Sequence, residues 1–256
     1  MDNYAFFAPH YDSLMREVNY NERADYLIEL FKRLNHETGI TLDVGCGTGT
    51  MTLLLKKRGL DIYGVDPSEQ MLSEAMDKAY DMEEHVLFLR QKAENLNLYG
   101  TIQTAISTFD SLNHIEGFDA LSKAFFKVGF FMDKGGYFVF DMNTVYKHKE
   151  VLSNNTFVYE TDEVFCVWQN TFEEENDNKV SISLDFFNRD NDVYYRESTA
   201  FSEYAYSVDT IKEMLNRAGF ELEAVYDDLS FDKPKEDSQR LIFVAQKTEE
   251  PGKKTF

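Results

Sequence analysis

The stretch Thr41-Leu42-Asp43-Val44-Gly45-Cys46-Gly47-Thr48-Gly49-Thr50 carries a short apolar run into three closely spaced glycines, and helical periodicity follows. Strand, glycine-rich turn and helix in that order build the ligand-binding corner of an open α/β sheet. Backbone without Cβ atoms can touch a bound molecule there. The glycines read G-x-G-x-G. A dinucleotide corner reads G-x-G-x-x-G and needs a glycine where Thr50 stands. A triphosphate loop would end in Gly-Lys-Ser/Thr, and no lysine follows Gly49. Both phosphate readings are weakened.

Working outward, Ala24, Leu27, Ile28, Phe31 and Leu34 recur at helical spacing, so residues 20–35 read as an amphipathic helix before the strand Ile40 to Val44. A helix over 49–58, a strand at 61–65, a helix capped by Ser68, strands at 86–89 and 102–107, a helix over 118–132 and a strand at 137–141 follow. Alternation of this kind predicts right-handed crossovers and a mostly parallel sheet with helices on both faces. The pattern then changes. Val180, Ile182, Leu184 and Phe186 alternate with Ser181, Ser183 and Asp185, and residues 163–172 and 193–206 also read as strands. The expectation is a three-stranded antiparallel insert after the fifth strand, occupying 156–206. A helix over 208–218 and strands at 220–226 and 241–247 complete a seven-stranded sheet. The main domain then comprises 1–155 and 207–248, and 249–256 is expected to be a disordered tail.

The chain has 256 residues and a formal net charge of -20. Phosphate neutralisation needs clustered Lys and Arg, so this acidity argues against a nucleic-acid surface. Lys56-Lys57-Arg58 and Lys147-His148-Lys149 are short basic runs that read as solvated helix faces. Two cysteines, Cys46 and Cys166, form neither a disulfide framework nor a metal-ligand spacing. No apolar run is long enough to span a bilayer, and the N-terminus lacks the pattern of a signal peptide. These features predict a cytoplasmic protein without membrane or metal; its oligomeric state stays open.

Asp43 precedes the glycines and Asp66 closes the second strand, so two carboxylates flank the corner. They suit a ligand with hydroxyls and positive charge. Asp66 would accept from ribose hydroxyls, and Asp43 would favour an ammonium or sulfonium group.

At this point the chain resembles a family. Leu42-Asp43-Val44-Gly45-Cys46-Gly47-Thr48-Gly49 is similar to the first motif of class I S-adenosylmethionine-dependent methyltransferases, and Val65-Asp66-Pro67-Ser68-Glu69-Gln70-Met71-Leu72 to the second. Phe109-Asp110-Ser111-Leu112-Asn113-His114 and the insert resemble small bacterial methyltransferases of unassigned substrate, amino-sugar N-methyltransferases and glycine N-methyltransferase. The resemblance implies a Rossmann-like fold and S-adenosylmethionine as cofactor. Gly45, Cys46 and Gly47 would line its methionine part and ribose, Asp66 would bind the ribose, and Pro67, Ser68 and Met71 would border the adenine. Lys92, Ala93 and Glu94 match the stretch that reads the adenine edge. Phe109 would sit beside the cofactor, and Tyr11 would cover its methionine end. Relatives commonly carry Asp where this chain has Lys92, and Lys cannot accept a hydrogen bond.

The resemblance implies direct transfer of the methyl to N, O or C of an acceptor, with a small molecule favoured over a protein. His114 and Asn113 are the catalytic candidates: His114 as a general base, or as a capping or packing residue. Asp110 reads as a cap before it reads as a catalyst, and Cys46 as a small filler before a nucleophile. Trp168, Tyr195 and Tyr206 are candidates for the acceptor wall, with packing of the insert as the alternative, and Tyr194 and Tyr204 share that ambiguity. The rival functions are a nicotinamide-dinucleotide oxidoreductase and a non-catalytic protein that binds S-adenosylmethionine for regulation.

Overall fold

The structure is a computed structural model that describes residues 8–15, 18–161, 164–191 and 193–251. A short helix α1 (Ala8–Leu14) precedes α2 (Tyr20–Arg33), and the chain then alternates through β1 (Ile40–Val44), α3 (Thr50–Lys57), β2 (Asp61–Asp66), α4 (Glu69–Asp81) and β3 (Phe88–Arg90). It continues through β4 (Ile102–Ser107), α5 (Gly117–Phe131) and β5 (Met132–Asn143). After the insert come α6 (Val208–Arg217), β10 (Phe220–Asp227) and β11 (Arg240–Lys247). The seven-stranded sheet runs β10-β11-β5-β4-β1-β2-β3. Its first five strands in sequence are parallel, and β11 enters antiparallel between β5 and β10.

Both faces of this sheet are covered, as parallel strands require. Phe138, Phe140, Phe243 and Ala245 point to the side of Leu121, Phe125, Ile211 and Leu215 on α5 and α6. Tyr137, Val139, Ile242 and Val244 point to the side of Leu27, Leu30, Phe31, Met51 and Leu55 on α2 and α3. Alternation along two neighbouring strands thus feeds two separate cores. Strand order reverses at β1, with β2 on one side and β4 on the other. Such a switch opens a crevice beyond the carboxyl ends of the strands.

The inserted sheet has four strands where three were expected: β6 (Thr156–Glu160), β7 (Val164–Glu173), β8 (Lys179–Asp190) and β9 (Val193–Glu203), all antiparallel. The extra strand β6 lies at an edge and is exposed along most of its length. It therefore carries no in-out hydrophobic alternation to announce it. Val164, Cys166, Ile182, Leu184 and Phe186 form the inner face and pack with Ala8 of α1 and Met71 of α4. Two other expectations shift. The third strand is Phe88–Arg90 rather than 86–89, and β5 starts at Met132, directly after α5. The expected disorder of 249–256 concerns a stretch that lies outside the described residues from 252 onward, as does Glu163 at the expected start of a strand.

Candidate active site

The glycine turn is shaped by what surrounds it. Gly45 and Gly47 have φ of 73° and 54°, in the left-handed region that glycine enters without steric cost. A Cβ on Gly45 would stand 2.7 Å from the Cβ of Ser111, whose hydroxyl donates to the Gly45 carbonyl at 2.9 Å. The turn after β1 and the turn after β4 therefore touch across the crevice. A Cβ on Gly47 would meet nothing within 4 Å, so that residue leaves its face open. Cys46 packs against Gly64, where a Cβ would come 2.6 Å from its sulfur. Burial, reinforced by the charges of Asp43 and Asp66, pushes the Cys46 thiol well above its ordinary range, which suits a filler and not a nucleophile.

Asp66 ties two turns together. One carboxylate oxygen accepts from the Gly47 amide at 3.0 Å and the other from the Ser68 amide at 2.8 Å. Ser68 caps α4 by accepting from the Met71 amide at 3.3 Å. Met71 is buried beside the insert, whereas Pro67 is exposed. Asp43 is buried and accepts from Thr52 Oγ1 at 2.6 Å. Burial pushes its carboxyl up to about 7; the Thr52 hydrogen bond pulls it down and the Asp66 charge adds to the rise. A carboxyl in that state would welcome a cation.

Aromatic rings close one side. Phe109 lies 4.6 Å from the Tyr20 ring, with the Arg23 guanidinium 5.0 Å over its face. Tyr11 lies by Tyr20, and burial and Tyr20 push its phenol well up. The next residue, Asp12, fastens α1 over the glycine turn. It accepts from Thr48 Oγ1 at 2.9 Å and pairs with Lys78 Nζ at 2.5 Å. Lys92 points to solvent with its ammonium 3.8 Å from Glu94, and Ala93 and Glu94 lie in the following 3-10 turn.

Past β4 the backbone turns through two consecutive left-handed residues, Phe109 (φ 57°) and Asp110 (φ 55°). Non-glycine residues in that region cost energy and need holding. The carboxylate of Asp141, two residues before the end of β5, accepts from both of their amides at 2.9 and 2.8 Å. Asp141 is itself paired with Arg23 at 3.1 Å and Arg240 at 2.6 Å. Arg240 also reaches Asp110 at 3.2 Å. Burial opposes the charge on Asp110, but Arg240 and Lys147 outweigh it and hold the carboxyl far below the usual range.

His114 ends the 3-10 turn Ser111–His114. Its Nε2 lies 3.9 Å from Oε1 of Glu203, the last residue of β9, and its ring is 5.3 Å from Phe201. The other oxygen of Glu203 accepts from Asn143 Nδ2 at 2.8 Å and lies 3.4 Å from His148 Nε2. Asp110, His114 and Glu203 each bring one atom within 4.8 Å of the others, a spacing that would admit a metal ion. Arg240 and Lys147 already supply positive charge to that cluster. Asn113, the other catalytic candidate, is buried and engaged on both ends of its amide. It donates to the Tyr204 carbonyl at 2.8 Å and to the Asn143 carbonyl at 3.2 Å, and accepts from the Asn143 amide at 2.9 Å.

A cavity of about 740 Å³ lies against the inserted sheet, bordered by His114, Gln169, Thr171, Ser181, Ser183 and Ser202 among others. None of the three aromatic candidates borders it. Trp168 donates to Asn170 at 2.6 Å and packs edge-on against Phe201; Tyr206 reaches Asp177 at 3.3 Å; Tyr195 is exposed. Sequence reasoning missed Tyr20, Asp141, Glu203 and Arg240. Asp141 was within reach, because it lies close to the carboxyl end of β5 and Asp66 ends β2.

A family model described as a methyltransferase domain matches residues 41–136. The Bacillus subtilis protein YqeM, which is named as a methyltransferase, is 29% identical over 246 residues, 96% of this chain and 97% of its own. An S-adenosylmethionine-dependent methyltransferase from Clostridium acetobutylicum shares 34% identity with a TM-score of 0.86, over 96% of this chain and 99% of that one. CalS10 from Micromonospora echinaspora, an amino pentose methyltransferase solved with S-adenosylmethionine bound, has the same fold with a TM-score of 0.72 at 16% identity, over 91% and 93% of the two chains. Among the described residues no helix is long and apolar enough to cross a membrane.

Proposed function

The chain belongs to the class I S-adenosylmethionine-dependent methyltransferases, and from that premise we propose that it methylates a nitrogen or oxygen of a small, hydroxyl-rich acceptor, an amine foremost. The observation that carries this reading is the cavity bordered by Ser181, Ser183, Ser202, Thr171 and Gln169 with His114 at its margin. Short hydroxyl and amide side chains suit many hydroxyls on one ligand, and His114 suits a proton-bearing acceptor atom. The amino pentose acceptor in the name of CalS10 points the same way.

The cofactor's sulfonium carries a methyl already activated for displacement. The protein's part is alignment and the exclusion of water. The open face of Gly47 and the turn at Gly45 and Cys46 cradle the methionine part and ribose. Asp66 accepts from the ribose while keeping its two backbone donors in place, and Asp43 offsets the cofactor's positive charge. Pro67, Ser68 and Met71 border the adenine, whose edge falls to the backbone at Ala93 and Glu94 because Lys92 faces solvent. Tyr11 and Phe109 wall the methyl end. His114 takes the proton that an acceptor sheds as it is methylated. A small molecule is the partner, nucleic acid is disfavoured by the net charge of -20, and two unpaired buried cysteines suit the cytoplasm.

The test incubates the purified chain with S-adenosylmethionine and pools of hydroxylated amines and alcohols, and follows release of S-adenosylhomocysteine. Release above background that falls at least tenfold in His114→Ala supports the proposal. Methylation of a protein or nucleic acid in place of every pooled small molecule overturns it.

A further inference from the structure

Glu203 stands out among the buried groups. It is only 3% exposed, and it belongs to the insert while His114 belongs to the turn after β4. Two hydrogen bonds clamp these segments together: the Tyr204 amide donates to the Asn113 carbonyl at 2.8 Å, and the Asn113 side chain donates to the Tyr204 carbonyl at 2.8 Å. The residues before Tyr204 and after Asn113 are thereby brought face to face. The two oxygens of Glu203 have different surroundings. Oε2 is occupied by Asn143 and His148, whereas Oε1 is the oxygen turned to His114. Asp110, the other acid near His114, is already engaged by Arg240, Lys147 and Asn143.

Resting on the reading of His114 as the proton acceptor, we propose that Glu203 is its positioning residue, which holds the imidazole with Nε2–H toward the carboxylate and Nδ1 toward the acceptor. In the step this serves, the lone pair of the acceptor atom forms the new bond to the methyl carbon. The electron pair of the broken carbon–sulfur bond stays on sulfur. The proton shed by the acceptor passes to Nδ1 of His114, and Glu203 stabilises the imidazolium. A separation of 3.9 Å is an ion-pair distance rather than a hydrogen bond, and such contacts tighten when the substrate is present. The site is complete only when the end of β9 is seated on the turn after β4, so the insert contributes a working residue as well as a wall.

The test starts with the unaltered protein. Nitrogen-15 NMR of the histidine rings at a pH where His114 is neutral reports its tautomer directly. The Nε2–H form is expected, and a dominant Nδ1–H form overturns the proposal. In Glu203→Gln, kcat for the acceptor found by the screen should fall about tenfold to a hundredfold, a share of what a positioned base contributes. The acceptor's KM and the affinity for S-adenosylhomocysteine should stay within about twofold. Unchanged kcat in a folded Glu203→Gln protein overturns the proposal. So does an equal loss in cofactor affinity, because that marks a merely structural residue. Activity that survives His114→Ala would instead sink the reading of His114 itself, so the two failures are distinct.

Discussion

Asp43 provides a prediction whose size follows from its burial. Its carboxyl has an ordinary value of 3.8 and is pushed up to about 7 in the fold, chiefly by loss of water. Below pH 3.8 both folded and unfolded chains carry the proton, and Asp43 costs nothing. Between about pH 4 and 7 the unfolded chain releases the proton and the folded chain keeps it, so stability falls as pH rises. Above 7 the loss is complete and constant. A displacement of about three pH units corresponds to about 4 kcal/mol at 1.36 kcal/mol per unit. Asp43→Asn removes the charge, and its amide oxygen can still accept from Thr52, which now donates at 2.6 Å. The variant should therefore match the parent near pH 4 and exceed it by about 4 kcal/mol at pH 8, since all other titrating groups are shared. Urea unfolding of the two proteins across that range measures the difference. A difference that stays flat with pH refutes the argument that Asp43 is buried without adequate compensation. The same reasoning reaches the ligand: binding of the cationic cofactor at pH 7 should release a proton from Asp43. Calorimetry in two buffers of different ionisation enthalpy would show the release in the parent and not in Asp43→Asn.

Asp66→Ala should weaken S-adenosylhomocysteine binding at least tenfold while the protein stays folded, because each charge-assisted hydrogen bond lost is worth about 1.5–3 kcal/mol; unchanged calorimetric affinity removes Asp66 from the site. Asp12→Ala frees α1 from Thr48 and Lys78, so cofactor dissociation followed by stopped flow should speed up several-fold, and an unaltered off-rate means that α1 does not cover the cofactor.

The parts legible in the sequence were those encoded within a few residues. The path from β1 to α4 announces itself through an apolar run, three glycines, a terminal acid and the Ser68 cap, all inside about thirty positions, and the structure places each of them. The insert's core strand β8 was readable because Val180, Ile182, Leu184 and Phe186 all face inward. Strand β6 was not, because an exposed edge leaves no periodic mark. The ionic cluster was invisible for another reason: Arg23 and Asp141 are 118 positions apart, and Asp141 and Arg240 are 99 apart. No local pattern links them until the sheet order is known. Trp168 read as a candidate for the acceptor wall or as packing of the insert, and its indole is engaged with Asn170 and Phe201. Small residues such as Ser181 and Ser183, which looked like the dull half of an alternation, border the cavity instead.

The carboxylate of Asp141 gathers the two strained amides of Phe109 and Asp110, and Arg240 gathers Asp141. This sets an order of events at the ribosome. The glycine turn and both of its flanking acids emerge within the first quarter or so of synthesis, but the turn after β4 lacks its anchor until β5 exists, and the anchor lacks Arg240 until β11 has paired beside β5. A nascent chain therefore carries the glycine turn and its flanking acids for most of its elongation, and gains the full ionic anchor of the turn after β4 only as its last strand slots into the sheet. A chain cut short before residue 240 would keep every recognisable motif and still lack the Arg240 half of that anchor, with Arg23 left as the arginine on Asp141.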